Sequence, residues 1–213
     1  IHVDLSKKGG PKKLFEYVKK HHSKLDILIN AASTNVGSRF LLNKSYNDWQ
    51  DEMSVNVNSA ILLSQMFSSR MKRQKIRGRI INISSGASKM ANSDVNSGSD
   101  IVMKNMIEKY SNILAEELYE YKVAVTVVRI EHQIDYGYIP FLNKNVKNSK
   151  YKDFIQGFLG DKPSKILPVF MYAIKAPFYE ISGKVISTKA FLENEKLSKI
   201  VPAQQLNVSN DVY

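Results

Sequence analysis

The sequence predicts an α/β fold, a doubly wound parallel sheet with helices on both faces, packed as one domain. Three observations predict it. Short β-branched runs alternate with longer segments of helical period. Several of the runs are apolar nearly throughout, as strands covered on both faces are. Most give way to small or polar residues before the next helix pattern, the order that makes βαβ units. A chain of 213 residues, 43% of them hydrophobic, suffices for one domain with a real core.

IHVDL, residues 1–5, is the first strand candidate. Pro11 then opens a helix, since the first helical position needs no N–H donor, and Leu14, Phe15 and Val18 share its face. LDILIN, 25–30, is the second strand, expected to be buried on both faces. Ser45 followed by Asp48 resembles a capping box. It starts a helix to about Met71, with Trp49, Met53, Ala60, Leu63 and Met66 at helical intervals. RIINIS, 79–84, is the third strand. SGSDIVMKNMIEKYSNILAEEL, 97–118, is a helix whose apolar side is Ile101, Met106, Tyr110, Ile113, Leu114 and Leu118. VAVTVVRI, 123–130, is the fourth strand. Residues 132–162 read as irregular, 163–174 as a helix containing Pro168, and KVIST, 184–188, as the fifth strand. The domain is read as 1–188, with 189–213 as a C-terminal tail over the surface.

Composition excludes several chemistries. There are no cysteines, so disulfides, thiolate metal sites and cysteine nucleophiles are out. His2, His21, His22 and His132 show no ligand spacing, and no metal site is expected. No apolar run is long enough for a membrane span. Net charge is +11. Its densest run, RMKRQKIRGR, carries Arg70, Lys72, Arg73, Lys75, Arg77 and Arg79. That run reads as a solvated helix end, or as a contact for nucleic acid or an acidic partner. No aromatic residue interleaves with it in sequence, so a stacking groove for single strands is unsupported at this level. The stretch begins with Ile1 instead of Met, so residues upstream are expected. Location stays open between cytoplasmic and organellar intracellular sites.

Ligands of parallel sheets bind beyond the carboxyl ends of the strands. That directs attention to Asp4, Asn30 to Ser33, Ser84 to Ser88 and Ile130 to Asp135. The residues there resemble the short-chain dehydrogenase/reductases, a Rossmann-type family of NAD(P)-dependent oxidoreductases. VDLS (3–6), DILINAAS (26–33), SVNVNSA (54–60), GRIINISSGAS (78–88), AEELYEYKVAVTVVRI (115–130) and KPSKILPVFMYAIKAPFYEISGKVIS (162–187) carry the resemblance, six pieces in order. It implies catalytic roles for Ser85, Asn56 and Lys104, with Asp100 at the position of the family's tyrosine. It implies cofactor contacts from Asp4, Asn30, Ala31, Ala32, Lys104 and Ile130. It also implies a homo-oligomer, paired through helices 46–71 and 100–121, or a subunit of a larger complex.

The departures from the family pattern are chemical. The family's tyrosine protonates the reacting oxygen while hydride moves to or from the nicotinamide, and a lysine four residues on lowers its pKa. Asp100 stands in for that phenol. A carboxyl near its ordinary value is protonated about one part in a thousand at pH 7, and keeping it protonated costs about 4 kcal/mol. Lys104 favours the carboxylate further, so an Asp100–Lys104 ion pair is expected. The family's second turn asparagine is Ala31, its glycine is Ser33, and its Pro-Gly after the fourth strand is Ile130-Glu131. The glycine-rich pyrophosphate loop is not found in these residues, which leaves the sheet incomplete in its N-terminal half and makes NAD or NADP conditional on a loop upstream.

Three functions are therefore open. The first is a degenerate member with a binding, scaffolding or assembly role. The second is an active NAD(P)-dependent oxidoreductase on a carbonyl or alcohol, with Tyr136, Tyr138, Ile139 and Phe141 near the substrate. The third is binding of nucleic acid or an acidic partner through the basic surface.

Overall fold

The computed structural model describes residues 1–37, 40–89, 98–131 and 163–194. Helix α1 spans Gly10–His21 and leads into strand β1, Ile27–Asn30. Helix α2, Tyr46–Met53, starts at the predicted cap: the Ser45 hydroxyl accepts the Asp48 amide. The helix continues through a π turn, Ser54–Asn58, into α3, Ser59–Gln74. Strand β2 is Arg79–Ser85, helix α4 is Gly98–Glu117 and strand β3 is Ala124–Ile130. A 3₁₀ turn, Pro163–Ile166, precedes α5, Leu167–Lys175, so Pro168 sits at the helix start where its missing N–H costs nothing. Helix α6 (Phe178–Ile181), strand β4 (Val185–Ser187) and helix α7 (Thr188–Glu193) complete the described fold.

The sheet is parallel and in sequential order, β1-β2-β3-β4, with Asn30 opposite Asn82, Ile81 opposite Thr126 and Val128 opposite Ile186. Side chains alternate between its faces. One face carries Leu28, Ile80 and Val125, covered by α1, α3 and α4 through Phe15, Phe67, Met71 and Leu114. The other carries Ile81 and Val128, covered by α5 and α7 through Val169, Ala173 and Phe191. This is the doubly wound α/β arrangement that the alternation of strands and helices predicts.

Three expectations need correction. IHVDL forms no strand: among the described residues nothing hydrogen-bonds to it as a ladder partner, and a lone extended segment gains nothing from the β region. LDILIN is not buried on both faces. Among the described residues it is the outermost strand of the sheet, and there Ile27 and Ile29 keep 36% and 42% of their surface, because α5 and α7 cover only its neighbours. The stretch after 188 begins as a helix whose Phe191 is buried in the core, so packing continues to Glu193. Residues 132–162, with Tyr136, Tyr138, Ile139 and Phe141, lie outside the described residues, as do 195–213.

Among the described residues, no helix is long and apolar enough to cross a membrane.

Candidate functional site

The carboxyl ends of β1 and β2 meet the π turn and the start of α4. Asn30 sits at the end of β1. Its side-chain amide donates to Asn82 Oδ1 at 2.8 Å and to Ser64 Oγ at 3.1 Å. Asn82 in turn donates to Ser111 Oγ at 2.8 Å, and Ser111 to the Ile107 carbonyl at 2.7 Å. This chain of partnered amides and hydroxyls ties β1, β2, α3 and α4 together beneath the apolar layer. Asn30 thus spends its amide inward. Ala31 and Ala32, which follow it, are exposed and line a small cavity with Leu28, Asn30 and Asn56.

Asn56 lies inside the π turn, a local widening of the helix often found at functional positions. Its amide reads the backbone of one residue: Thr34 N–H donates to Oδ1 at 2.7 Å, and Nδ2 donates to the Thr34 carbonyl at 2.8 Å. Four residues earlier, buried Glu52 makes a second clasp on the same loop. Its Oε1 accepts Val36 N–H at 2.8 Å and the Lys44 ammonium at 2.7 Å, and Lys44 also donates to the Val36 carbonyl at 2.8 Å. Both side chains of that ion pair are 1% exposed, and Glu52 Oε2 has no hydrogen-bond partner among the described residues. The sequence pattern missed this pair. The signal was a glutamate at 52 sharing a helix face with Trp49, Met53 and Asn56.

On α4, Asp100 and Lys104 lie one turn apart. The Ser85 hydroxyl, at the end of β2, hydrogen-bonds the Asp100 carboxyl. Burial raises the Asp100 pKa from its ordinary value and outweighs the pull of Lys104, and the charge of Glu52 pushes it further the same way. Burial lowers the Lys104 pKa, with Asp100 opposing it. Lys104 Nζ donates to the Ile83 carbonyl at 3.4 Å. The expected contact ion pair between Asp100 and Lys104 does not close among the described residues. Coulomb attraction argued for it, but desolvation of both groups is the larger effect.

Two further networks flank this centre. Glu108, the next α4 residue on the Lys104 face, accepts Arg129 Nε at 2.9 Å and Nη2 at 2.6 Å, and Ser84 Oγ at 2.6 Å. Burial alone would raise its carboxyl, yet the Arg129 and Ser84 hydrogen bonds prevail and hold it below its ordinary value. Glu131, after Ile130, accepts the Lys89 ammonium at 2.9 Å and the Ser187 hydroxyl, and its N–H donates to Thr188 Oγ1 at 2.9 Å. Its pKa is likewise lowered: burial raises it, and the bonds from Ser187 and Lys89 outweigh burial. Asp4 stands apart, exposed, with Oδ1 accepting Ser6 N–H at 2.9 Å and Ser6 Oγ at 2.7 Å. Those bonds lower its pKa, the hydroxyl's first.

The structure thus gathers Ser85, Asp100 and Lys104 at the β2–α4 junction and places Asn56 beside Met103 of α4. Asn30, Ala31 and Ala32 follow at the end of β1, Ile130 ends β3, and Asp4 precedes Leu5, which lines the cavity with Asn30 and Ala31.

The family model for short chain dehydrogenase matches residues 1–131. Over 85 residues the chain is 29% identical to glucose 1-dehydrogenase 2 of Bacillus subtilis (strain 168), covering 40% of this chain and 33% of that protein. Over 90 residues it is 30% identical to the (3R)-3-hydroxyacyl-CoA dehydrogenase of Canis lupus familiaris, covering 42% of this chain and 35% of that one. The matched stretch therefore spans about a third of these curated relatives. Among solved structures, a 4-hydroxyisoleucine dehydrogenase complexed with NADH superposes with a TM-score of 0.70 at 21% identity, over 88% of this chain and 77% of that one. ElxO with NADP bound superposes with a TM-score of 0.74 at 16% identity, over 88% and 75%. At these identities the structures establish the fold.

Proposed function

The chain belongs to the short-chain dehydrogenase family, and from that premise we propose that it is a degenerate member, its fold retained and its role moved to binding, scaffolding or assembly. The hydrogen bond between Ser85 and Asp100 carries this reading. By resemblance, the groups at these two positions face one reacting oxygen. Here they satisfy each other. A carboxyl also ends close to the backbone, whereas a phenol reaches a full ring further, so Asp100 stops short of where a tyrosine hydroxyl would act.

Family membership implies an NAD(P) cofactor, which when bound supplies or accepts hydride. The residues present fit one side of such a group. Lys104 would hold the ribose next to the nicotinamide. Ala31 and Ala32, with only methyl side chains, leave the backbone after β1 open to close approach. Ile130 would border the ring, and Asp4 would accept from the adenine amino group. Glu131 fits poorly, because it brings a carboxylate held below its ordinary pKa to the end of β3. Assembly as a homo-oligomer is supported by an exposed apolar stripe on α4, Val102, Met106 and Ile113.

A second reading has one observation in its favour. Burial raises the Asp100 pKa, which enlarges the fraction able to donate a proton. An active oxidoreductase on a carbonyl or alcohol is therefore the alternative. Titrating the protein with NADH and NADPH by Trp49 and nicotinamide fluorescence, then assaying a panel of carbonyl substrates, separates the two. Binding without turnover, with turnover gained in Asp100→Tyr, supports the degenerate reading. Turnover by the unmodified protein that disappears in Asp100→Asn replaces it with the second.

A further inference from the structure

The end of the sheet opposite the candidate site holds a surface that the linear sequence conceals. The turns entering β1, β2 and β3 are brought together there. Arg70 Nη2 donates to the His22 carbonyl at 2.5 Å and the Ser23 carbonyl at 2.9 Å, and Gln74 Nε2 donates to Ser23 at 2.8 Å. These bonds lock the end of α1 to the end of α3. Lys72 Nζ lies 3.9 Å from the centre of the Tyr121 ring, which joins α3 to the turn before β3. Lys122 Nζ lies 4.4 Å from the Tyr119 ring, and the Tyr119 and Phe178 rings are 5.3 Å apart.

Two cations of the basic run are spent on the fold: Arg70 as above, and Arg79, which donates to the Ala176 carbonyl. The others are exposed, and Arg73, Lys75 and Arg77 make no ion pair among the described residues. The nearby acids Glu16 and Asp26 are engaged by Lys19 and Lys24; Glu120, between the tyrosines, has no ion pair among the described residues. The aromatic residues absent from the basic run are supplied by another segment. Tyr119 and Tyr121 keep 54% and 46% of their surface beside these cations. Lys75 and Lys122 both adopt left-handed backbone, φ 55° and 56°, where glycine fits with less strain. A cation thus stands at two positions that local backbone preference would assign elsewhere.

We propose that this rim binds single-stranded nucleic acid: Lys75, Arg73 and Arg77 meet phosphates, with Lys122 beside the rings, while bases stack on the exposed faces of Tyr119 and Tyr121 that Lys122 and Lys72 do not cover. Cations tracking a backbone, interleaved with half-exposed rings, are what sequence-tolerant single-strand recognition requires. An acidic protein would use the cations and leave the rings idle.

The test is fluorescence anisotropy of a labelled 20-nucleotide oligouridine with the full protein, from low to physiological salt. Binding is expected to weaken on a log–log slope of about −2 to −3, as about three or four neutralised phosphates give on a single strand. Lys75→Gly combined with Lys122→Gly relieves the backbone instead of straining it, and is expected to weaken binding about tenfold and flatten the slope. Tyr121→Leu is expected to weaken binding about tenfold with the slope unchanged, the mark of a lost stacking platform. Absence of salt-dependent binding overturns the proposal. So does equal binding of heparin or poly-glutamate with Tyr121→Leu having no effect, which would assign the rim to acidic partners in general.

Discussion

At the scale of single residues, two carboxyls on α4 are both pushed up by burial yet end shifted in opposite directions, because their partners differ. Asp100 has one serine and a distant ammonium to offset desolvation, and its pKa rises. Glu108 has a bidentate guanidinium and a hydroxyl, and its pKa falls. The stability consequences have opposite sign. A raised folded pKa means the folded state binds the proton more tightly. The Asp100 contribution is then present at acid pH and lost as pH rises through the raised value. Replacing it with Asn should leave the melting temperature unchanged at acid pH and raise it by roughly 2–4 °C near neutrality, read by thermal melts across pH. Glu108 stabilises above the ordinary carboxylate range, and that contribution is lost as pH falls through its lowered value. Glu108→Gln keeps the volume but loses the charge that Arg129 and Ser84 address. Urea unfolding should show a loss of about 2 kcal/mol.

At the scale of elements, the informative unit is the helix broken by the π turn. Glu52 and Asn56, one helical turn apart where the helix enters the π turn, both reach the 34–36 backbone. The loop after β1 is therefore fixed by side chains of the next helix, which suits a segment that must present open backbone. Lys44→Met should destabilise by about 3–5 kcal/mol, because buried Glu52 loses its counter-charge while one oxygen already lacks a hydrogen-bond partner among the described residues. Lys44→Met with Glu52→Leu should recover part of that loss, since an apolar pair of similar volume needs no desolvation, while the Val36 N–H and carbonyl lose their partners. A double-mutant cycle in chemical denaturation decides it. If the double variant is no better than the single, the pair does more than neutralise itself.

At the scale of the molecule, the two ends of the sheet differ in chemistry. The carboxyl ends gather buried acids and amides around Ser85 and Lys104, and the amino ends expose cations and rings. The flank of α4 is a third surface, and its apolar stripe supports self-association. If the stripe pairs copies of this chain, as proposed, the protein should sediment as an oligomer, and Met106→Lys with Ile113→Lys should shift it toward the monomer without changing far-UV circular dichroism. A species of unchanged size would assign the stripe to another partner.

Much of this was legible from residue order alone. Period and β-branching located four of the five predicted strands and the long helices of the described residues, because strand and helix period report backbone geometry within a few residues. The spacing of Asp100 and Lys104 placed them on one turn of α4, and family resemblance pointed to Ser85 and Asn56. What failed in each case was a quantity that depends on neighbours distant in the chain. IHVDL has strand propensity but no ladder partner among the described residues. LDILIN has the composition of a covered strand but is the outermost strand among the described residues. The Asp100–Lys104 pair was argued from charge, and burial by the packed sheet reversed the balance. The aromatic residues of the basic rim come from a segment about fifty positions away. Local pattern determined the fold class and where chemistry could be sought. Only tertiary structure decided desolvation, pairing and which groups touch, because these are sums over contacts that the linear order does not contain.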